Sequence, residues 1–297
     1  MKLTWALLVI GKLGKSAQIS LHSIFTTEPQ RVCILADLAG EAWVRSVIGF
    51  QYNEYVCFHQ ISNETLSRAG CDVGEFSKYV NFGKSEFVKL TALKWLIILE
   101  SLKSHEDSMG TLFSDLDVFY FRSPQASISR LPDSNIVSLQ DDSRPNSTRP
   151  YFCTGVMYWK KGQLSENALL NLFEQQVTSN SLGKLIPDET MFNRNYFKFM
   201  PTDVVRTLNP NSFVIGHKFF HLAHRFHKVN SEMVCFHANY VIGQRRKYFR
   251  LRTVELRYRK KKVWVVFYLI VLLDWAKVKI LSEIKSLKSK IMKERNS

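Results

Sequence analysis

The five cysteines, at positions 33, 57, 71, 153 and 235, form no CxxC pair and show no regular spacing. Neither a structural zinc site nor a disulfide framework is indicated, and a reducing compartment fits such usage. Internal repeats are absent, and so are low-complexity stretches ahead of the basic C-terminal segment, which excludes solenoid and fibrous architectures. The longest unbroken apolar run, Val263 to Leu273, has eleven residues. As a helix it would rise only about 16 Å, too little for a bilayer core of about 30 Å. What the chain does have is length and apolar content. Its 297 residues, 45% apolar and 23% charged, can bury a sizeable core as one large domain, and that excludes intrinsic disorder.

Charge is concentrated at one end. The whole chain carries a formal +15, but Gln244 to Ser297 holds 17 Lys and Arg against 4 Asp and Glu, a net +13, and the rest is nearly neutral at +2. A nucleic-acid surface is not indicated, because these basic residues surround an apolar block rather than a polar groove.

The apolar pattern predicts an α/β fold. Leu3 to Ile10, running into Gly11 and Gly14, reads as a buried first strand rather than a targeting segment, since no small-residue cleavage site follows. Ser16 to Phe25 has helical spacing, and Val32 to Leu35 reads as a second strand. From Phe87 to Leu102, apolar residues at 87, 90, 93, 97, 98 and 102 predict one continuous helix. Further strands are expected over Ile136 to Leu139, Tyr151 to Trp159 and Met233 to Phe236, and a helix over Ala168 to Val177.

Thr111-Leu112-Phe113-Ser114 leads into Asp115 and Asp117 and then into Val118-Phe119-Tyr120-Phe121. Carboxylates two apart at a strand end point to the same side, with Leu116 expected to face the core. Two like charges held together are costly unless a cation shares them, and a divalent ion bridging to phosphate oxygens is the simplest solution. The bland alternative is an exposed acidic turn.

The run LFSDLDVFYFRSP, Leu112 to Pro124, resembles the DxD region of nucleotide-sugar glycosyltransferases of the GT-A fold. It is most similar to the nucleotide-diphospho-sugar transferases grouped with plant arabinosyl- and xylosyltransferases (family 77), and more distantly to family 8. Four further segments fall in that family's order: Phe87 and Lys94 in FVKLTALK, Cys153-Thr154-Gly155-Val156, Asp188-Glu189-Thr190-Met191-Phe192-Asn193, and Phe213 to Gly216 followed by His237-Ala238-Asn239-Tyr240, Gly243 and Lys247. The resemblance spans about residues 87 to 250. It implies a Rossmann-like fold with a central mixed sheet flanked by helices over residues 1–255, and it leaves 256–297 as a basic, apolar tail.

The resemblance also implies chemistry. Asp115, Asp117 and His237 would ligate Mn2+ or Mg2+, with imidazole favouring Mn2+. Lys94, Asp115, Thr154, Gly155, Gly243 and Lys247 would hold a nucleotide-diphosphate-sugar donor. Asp188 and Glu189 would stand at the reacting centre of a transfer that retains configuration, to a glycan, lipid-linked or protein acceptor. Two residues depart from the pattern: Glu189 replaces the family's Gln, and Cys153 its Asn. Glu189 is either a carboxylate acting at the anomeric carbon or an acceptor hydroxyl, or an isostere at a helix start.

Competing readings are a haloacid-dehalogenase-type phosphatase using Asp115 and Asp117, and a non-catalytic membrane- or polyanion-binding protein. His217, His221, His224 and His227 form an imidazole stripe best read as solvated or partly buried. Tyr151, Tyr158 and Trp159 suit either sugar stacking or the core. The glycosylation patterns at Asn63 and Asn146 are short enough to arise by chance. Arg257 to Lys262 followed by the apolar run suits an anionic membrane surface, or else a buried terminal helix. The expected location is cytoplasmic with peripheral membrane attachment, or the Golgi lumen if an anchor precedes this chain.

Overall fold

The computed structural model describes residues 2–27, 31–71, 85–143, 147, 150–216, 232–239, 243–274 and 276. Its first half alternates strand and helix: β1 (Lys2–Val9), α1 (Lys15–Thr27), β2 (Val32–Ala36), α2 (Leu38–Ile48), β3 (Val56–Gln60), α3 (Asn63–Arg68), α4 (Ser85–Thr91), α5 (Leu93–Ser104) and β4 (Ser108–Ser114). There follow β5 (Val118–Tyr120), α6 (Gln125–Ile128), β6 (Val137–Asp141), β7 (Phe152–Lys160), α7 (Gln163–Ser181) and α8 (Asp188–Phe199). Three short strands, β8 (Val205–Thr207), β9 (Phe213–Ile215) and β10 (Cys235–His237), precede α9 (Gln244–Tyr258). A last helix covers 264–274.

Seven strands form the main sheet in the order β3-β2-β1-β4-β7-β6-β8, and β5-β10-β9 form a small second sheet. β3, β2, β1 and β4 run parallel, while β7 is antiparallel to both β4 and β6. Parallel strands buried on both faces need continuous apolar sequence, and VCILA in β2 is buried at all five positions. The expected mixed sheet flanked by helices is therefore present. One apolar cluster joins Trp95, Ile97 and Ile98 of α5, Leu169 and Leu172 of α7 and Phe192 of α8 to one face. A second joins Leu21 and Ile24 of α1 and Trp43 and Val44 of α2 to the other.

Chain order reverses beside β1: β2 and β3 extend the sheet to one side, and β4 lies on the other. At such a switch point the connections leave in opposite directions and open a crevice at the strands' carboxyl ends. Asp115 lies at that end of β4.

Two expectations need correcting. The helix expected from 87 to 102 is two, α4 and α5, separated at Ala92. The acidic pair sits in the turn between β4 and β5 rather than on a strand. Leu116, half-buried, packs against the core as expected and also lines the cleft with both aspartates. The His217 to His227 stripe, Asn146 and the tail beyond 276 lie outside the described residues. Trp159 and Tyr158 are core residues, 0% and 3% exposed. Among the described residues no helix is long and apolar enough to cross a membrane.

Candidate active site

The cleft at the switch point is walled by the end of β1 (Leu8, Ile10), the first turn of α1 (Ser16, Ala17), Phe87 and Leu90 of α4, and Gln244 and Lys247 of α9. Asp115 and Asp117 form its floor, and Lys94 lines it on the side of α4 and α5. Gly14 lies directly against the end of the Gln244 side chain in this wall. The aliphatic wall around Leu8 and Ile10 is the part of the site that the motifs miss. Its signal in the sequence is the pair Gly11 and Gly14 directly after the first strand, a turn suited to close ligand approach.

Three segments converge on the acidic turn. His237 ends β10, directly opposite Val118 of β5, and Ala238 N–H donates to the Asp117 carbonyl at 2.8 Å. The pairing of β6 with β7 jumps from Leu139–Met157 to Gln140–Cys153. That irregularity takes Thr154 and Gly155 out of the ladder and re-aims them. Asp115 N–H then donates to the Gly155 carbonyl at 2.7 Å. Gly155 is needed for space, since a Cβ would lie 2.0 Å from Cε1 of His237. α8 is pinned to the same stretch by Asn193, whose side chain accepts from Phe152 N–H at 2.9 Å and donates to its carbonyl at 2.8 Å. Asp188 thereby meets Thr154, whose hydroxyl donates to Oδ2 at 2.6 Å.

Lys94 Nζ lies 2.9 Å from Asp115 and 2.8 Å from Asp188. Burial disfavours its charge, but the two carboxylates hold its pKa above the ordinary lysine range. Asp117 is treated oppositely: burial would raise it, yet Lys247 Nζ at 2.6 Å and His237 Nε2 at 3.1 Å hold it well below the usual carboxylate range. Glu189 lies beside Tyr151 and Cys153. Burial, then the charge of Asp188, pushes it above an ordinary glutamate.

Asp115, Asp117 and His237 offer three ligand atoms within 4.8 Å of one another. Nδ1 of His237 lies 2.8 Å from Oε1 of Gln140. With Nδ1 engaged there, Nε2 faces the buried Oδ1 of Asp117 at 3.1 Å. Asp115, Asp117, Asp188 and Glu189 against Lys94 and Lys247 sum to a formal −2, matched by one divalent cation. Two carboxylates and an oriented imidazole with ligand atoms within reach of one ion, together with this charge, make the residues a fit for Mn2+, with imidazole less suited to Mg2+. The structure thus brings Lys94, Asp115, Asp117, Thr154, Gly155, Asp188, His237 and Lys247 into one connected site. Gly243 stands at the start of α9 with φ +97°, the left-handed region open to glycine.

The sequence profile described as nucleotide-diphospho-sugar transferase matches residues 63–251. No curated protein sequence matches the chain. Among solved structures, the galactosyltransferase LgtC bound to donor and acceptor sugar analogs is 14% identical, with a TM-score of 0.52 over 80% of this chain and 87% of that one. An active-site mutant of LgtC with glutamate in place of glutamine is 14% identical, with a TM-score of 0.53 over 87% and 99%. These likenesses are ones of fold.

Proposed function

The chain belongs to the nucleotide-diphospho-sugar transferase family and is a glycosyltransferase of the nucleotide-sugar type. From that premise we propose that its transfer depends on a divalent cation, Mn2+ by preference, and retains configuration, with a glycan, lipid-linked or protein acceptor. The observation that carries this reading is the convergence of Asp115, Asp117 and His237, whose ligand atoms lie within 4.8 Å of one another, with Nε2 of His237 3.1 Å from Oδ1 of Asp117.

Asp115, Asp117 and His237 would hold the metal, which would supply positive charge to the diphosphate oxygens as the nucleotide leaves. Lys247, which lines the cleft beside Asp117, offers its ammonium group to the phosphates. Lys94 stays between Asp115 and Asp188 and fixes their spacing. The aliphatic wall of Leu8, Ile10 and Leu90 takes the flat apolar part of the nucleotide and excludes water from it.

Asp188 and Glu189 face the sugar. Asp188 is fixed by Lys94 and Thr154 and serves as an acceptor for sugar hydroxyls. Glu189 stands where the resemblance places the family's glutamine. Burial and Asp188 raise its pKa, which makes its carboxylate a stronger base for the acceptor hydroxyl's proton than an ordinary glutamate. The new bond forms on the face from which the nucleotide departs, the retention that the family resemblance implies. A melting-temperature screen of nucleotide sugars with and without Mn2+ tests the donor. Metal-dependent stabilisation by one donor class is expected, by mass action; stabilisation indifferent to Mn2+ would refute the metal assignment.

A further inference from the structure

The helix over 264–274 has two apolar faces. One packs on α9: Phe267 meets Tyr248 and Phe249 at ring-centroid distances of 6.4 and 6.0 Å, and the Arg257 guanidinium lies 5.2 Å from the Trp264 ring centroid. Val271 is buried, and Asp274 pairs with Arg246 at 2.8 Å and Arg250 at 3.4 Å. These positions recur at three and four, as a packed stripe should. The opposite stripe recurs at the same spacing and is also apolar. Val265, Val266, Leu269, Leu272 and Leu273 are 40–70% exposed, at positions where a surface helix ordinarily carries polar residues. Val263, half exposed, extends the strip, and Lys260, Lys261 and Lys262 stand exposed just before it.

We propose that this strip docks the protein on an anionic lipid surface. An aliphatic face flanked by lysines is what a helix lying in the headgroup layer requires: the leucines and valines enter the acyl boundary while the ammonium groups remain with lipid phosphates. The cations are too concentrated in this region, +13 of the chain's +15, for a neutral partner to balance. At about 16 Å the helix lies on the membrane and does not cross it.

The docking strip is also tied to the cleft. Contacts along the two helices run in opposite order, Trp264 to Arg257 and Asp274 to Arg246. The helix therefore returns along α9 toward the end that carries Lys247. Docking would hold the cleft near the bilayer surface and favour an acceptor anchored there. That consequence rests on the transferase reading; the docking itself does not.

The test is co-sedimentation of the full chain with phosphatidylcholine vesicles and with vesicles containing about one quarter phosphatidylglycerol. Binding only to the acidic vesicles, weakened by added salt, is expected. Lys260→Glu, Lys261→Glu and Lys262→Glu together should weaken partitioning about a hundredfold. Val266→Asp with Leu269→Asp should abolish it, and both sets should leave the melting temperature unchanged. Absence of vesicle binding, or equal binding by the variants, overturns the proposal. So does a concentration-dependent dimer that the aspartate pair dissolves, because the strip would then belong to a second copy. Donor hydrolysis is measured in parallel: inactive protein that still sediments with acidic vesicles sinks the transferase reading and leaves docking intact.

Discussion

Lys94 and Lys247 approach the acidic turn from opposite walls of the cleft, and they are built differently. Lys94, in the first turn of α5, has a side chain only 8% exposed and joins two carboxylates from separate segments, Asp115 and Asp188. Lys247, on α9, is 23% exposed, lines the cleft and meets Asp117 at 2.6 Å. The first position is architectural, since removing the cation would leave like charges facing each other out of water. The second is a reserve of positive charge beside the place where a diphosphate arrives. One wall fixes the geometry and the other responds to the substrate.

The largest expected effect strikes the acidic turn itself. Asp117→Ala removes a metal ligand and the partner of Lys247, and transfer should fall by about 10^3-fold or more. The protein should keep its far-ultraviolet dichroism, and turnover near wild type would remove Asp117 from the machinery. Next comes the comparison itself. Lys94→Ala should cost about 3–5 kcal/mol in stability, as breaking a buried ion pair does. Lys247→Ala leaves the buried Asp117 with His237 alone, so it should destabilise too, but less than Lys94→Ala, which strands two carboxylates, while turnover drops about a hundredfold. Denaturant melts set beside donor turnover separate the two, and equal destabilisation would erase the distinction.

A smaller effect sharpens the responsive side. Gln140→Leu leaves His237 in place without its Nδ1 partner, so Mn2+ affinity should fall about 10- to 100-fold with little change in melting temperature. The mildest is in pH. Burial and Asp188 raise Glu189, so its carboxylate is protonated as pH falls through a value above the ordinary glutamate range. Activity that needs the ionised form should show an acid limb displaced upward by the same amount. Glu189→Gln should flatten that limb, and an unchanged limb would assign it to another group.

Much of this was legible in the sequence, for physical reasons. Continuous apolar runs announce parallel strands, so β1, β2 and β4 could be read, and with them the position of the acidic pair at a strand's carboxyl end. The break between α4 and α5 carried no signal, because Ala92 is a strong helix former. β8 and β9, three residues each, are too short to show a period. Gln140 owes its place beside His237 to an irregular β6–β7 register, and a register is set by tertiary pairing rather than by local pattern. Lys94 looked like one more cation for the donor; only the fold shows it locked between two carboxylates. The exposed face of the 264–274 helix was hidden inside an apolar run, because sequence alone cannot tell a covered leucine from a bare one.

The whole account turns on a cation seated between β4's turn and β10. Calorimetric titration of Mn2+ into the protein with a nucleoside diphosphate present tests this directly, on the wild type and on His237→Ala. One saturable site is expected in the wild type, weakened at least about tenfold by the substitution. Equal Mn2+ affinity in the two proteins, or none in either, would contradict it.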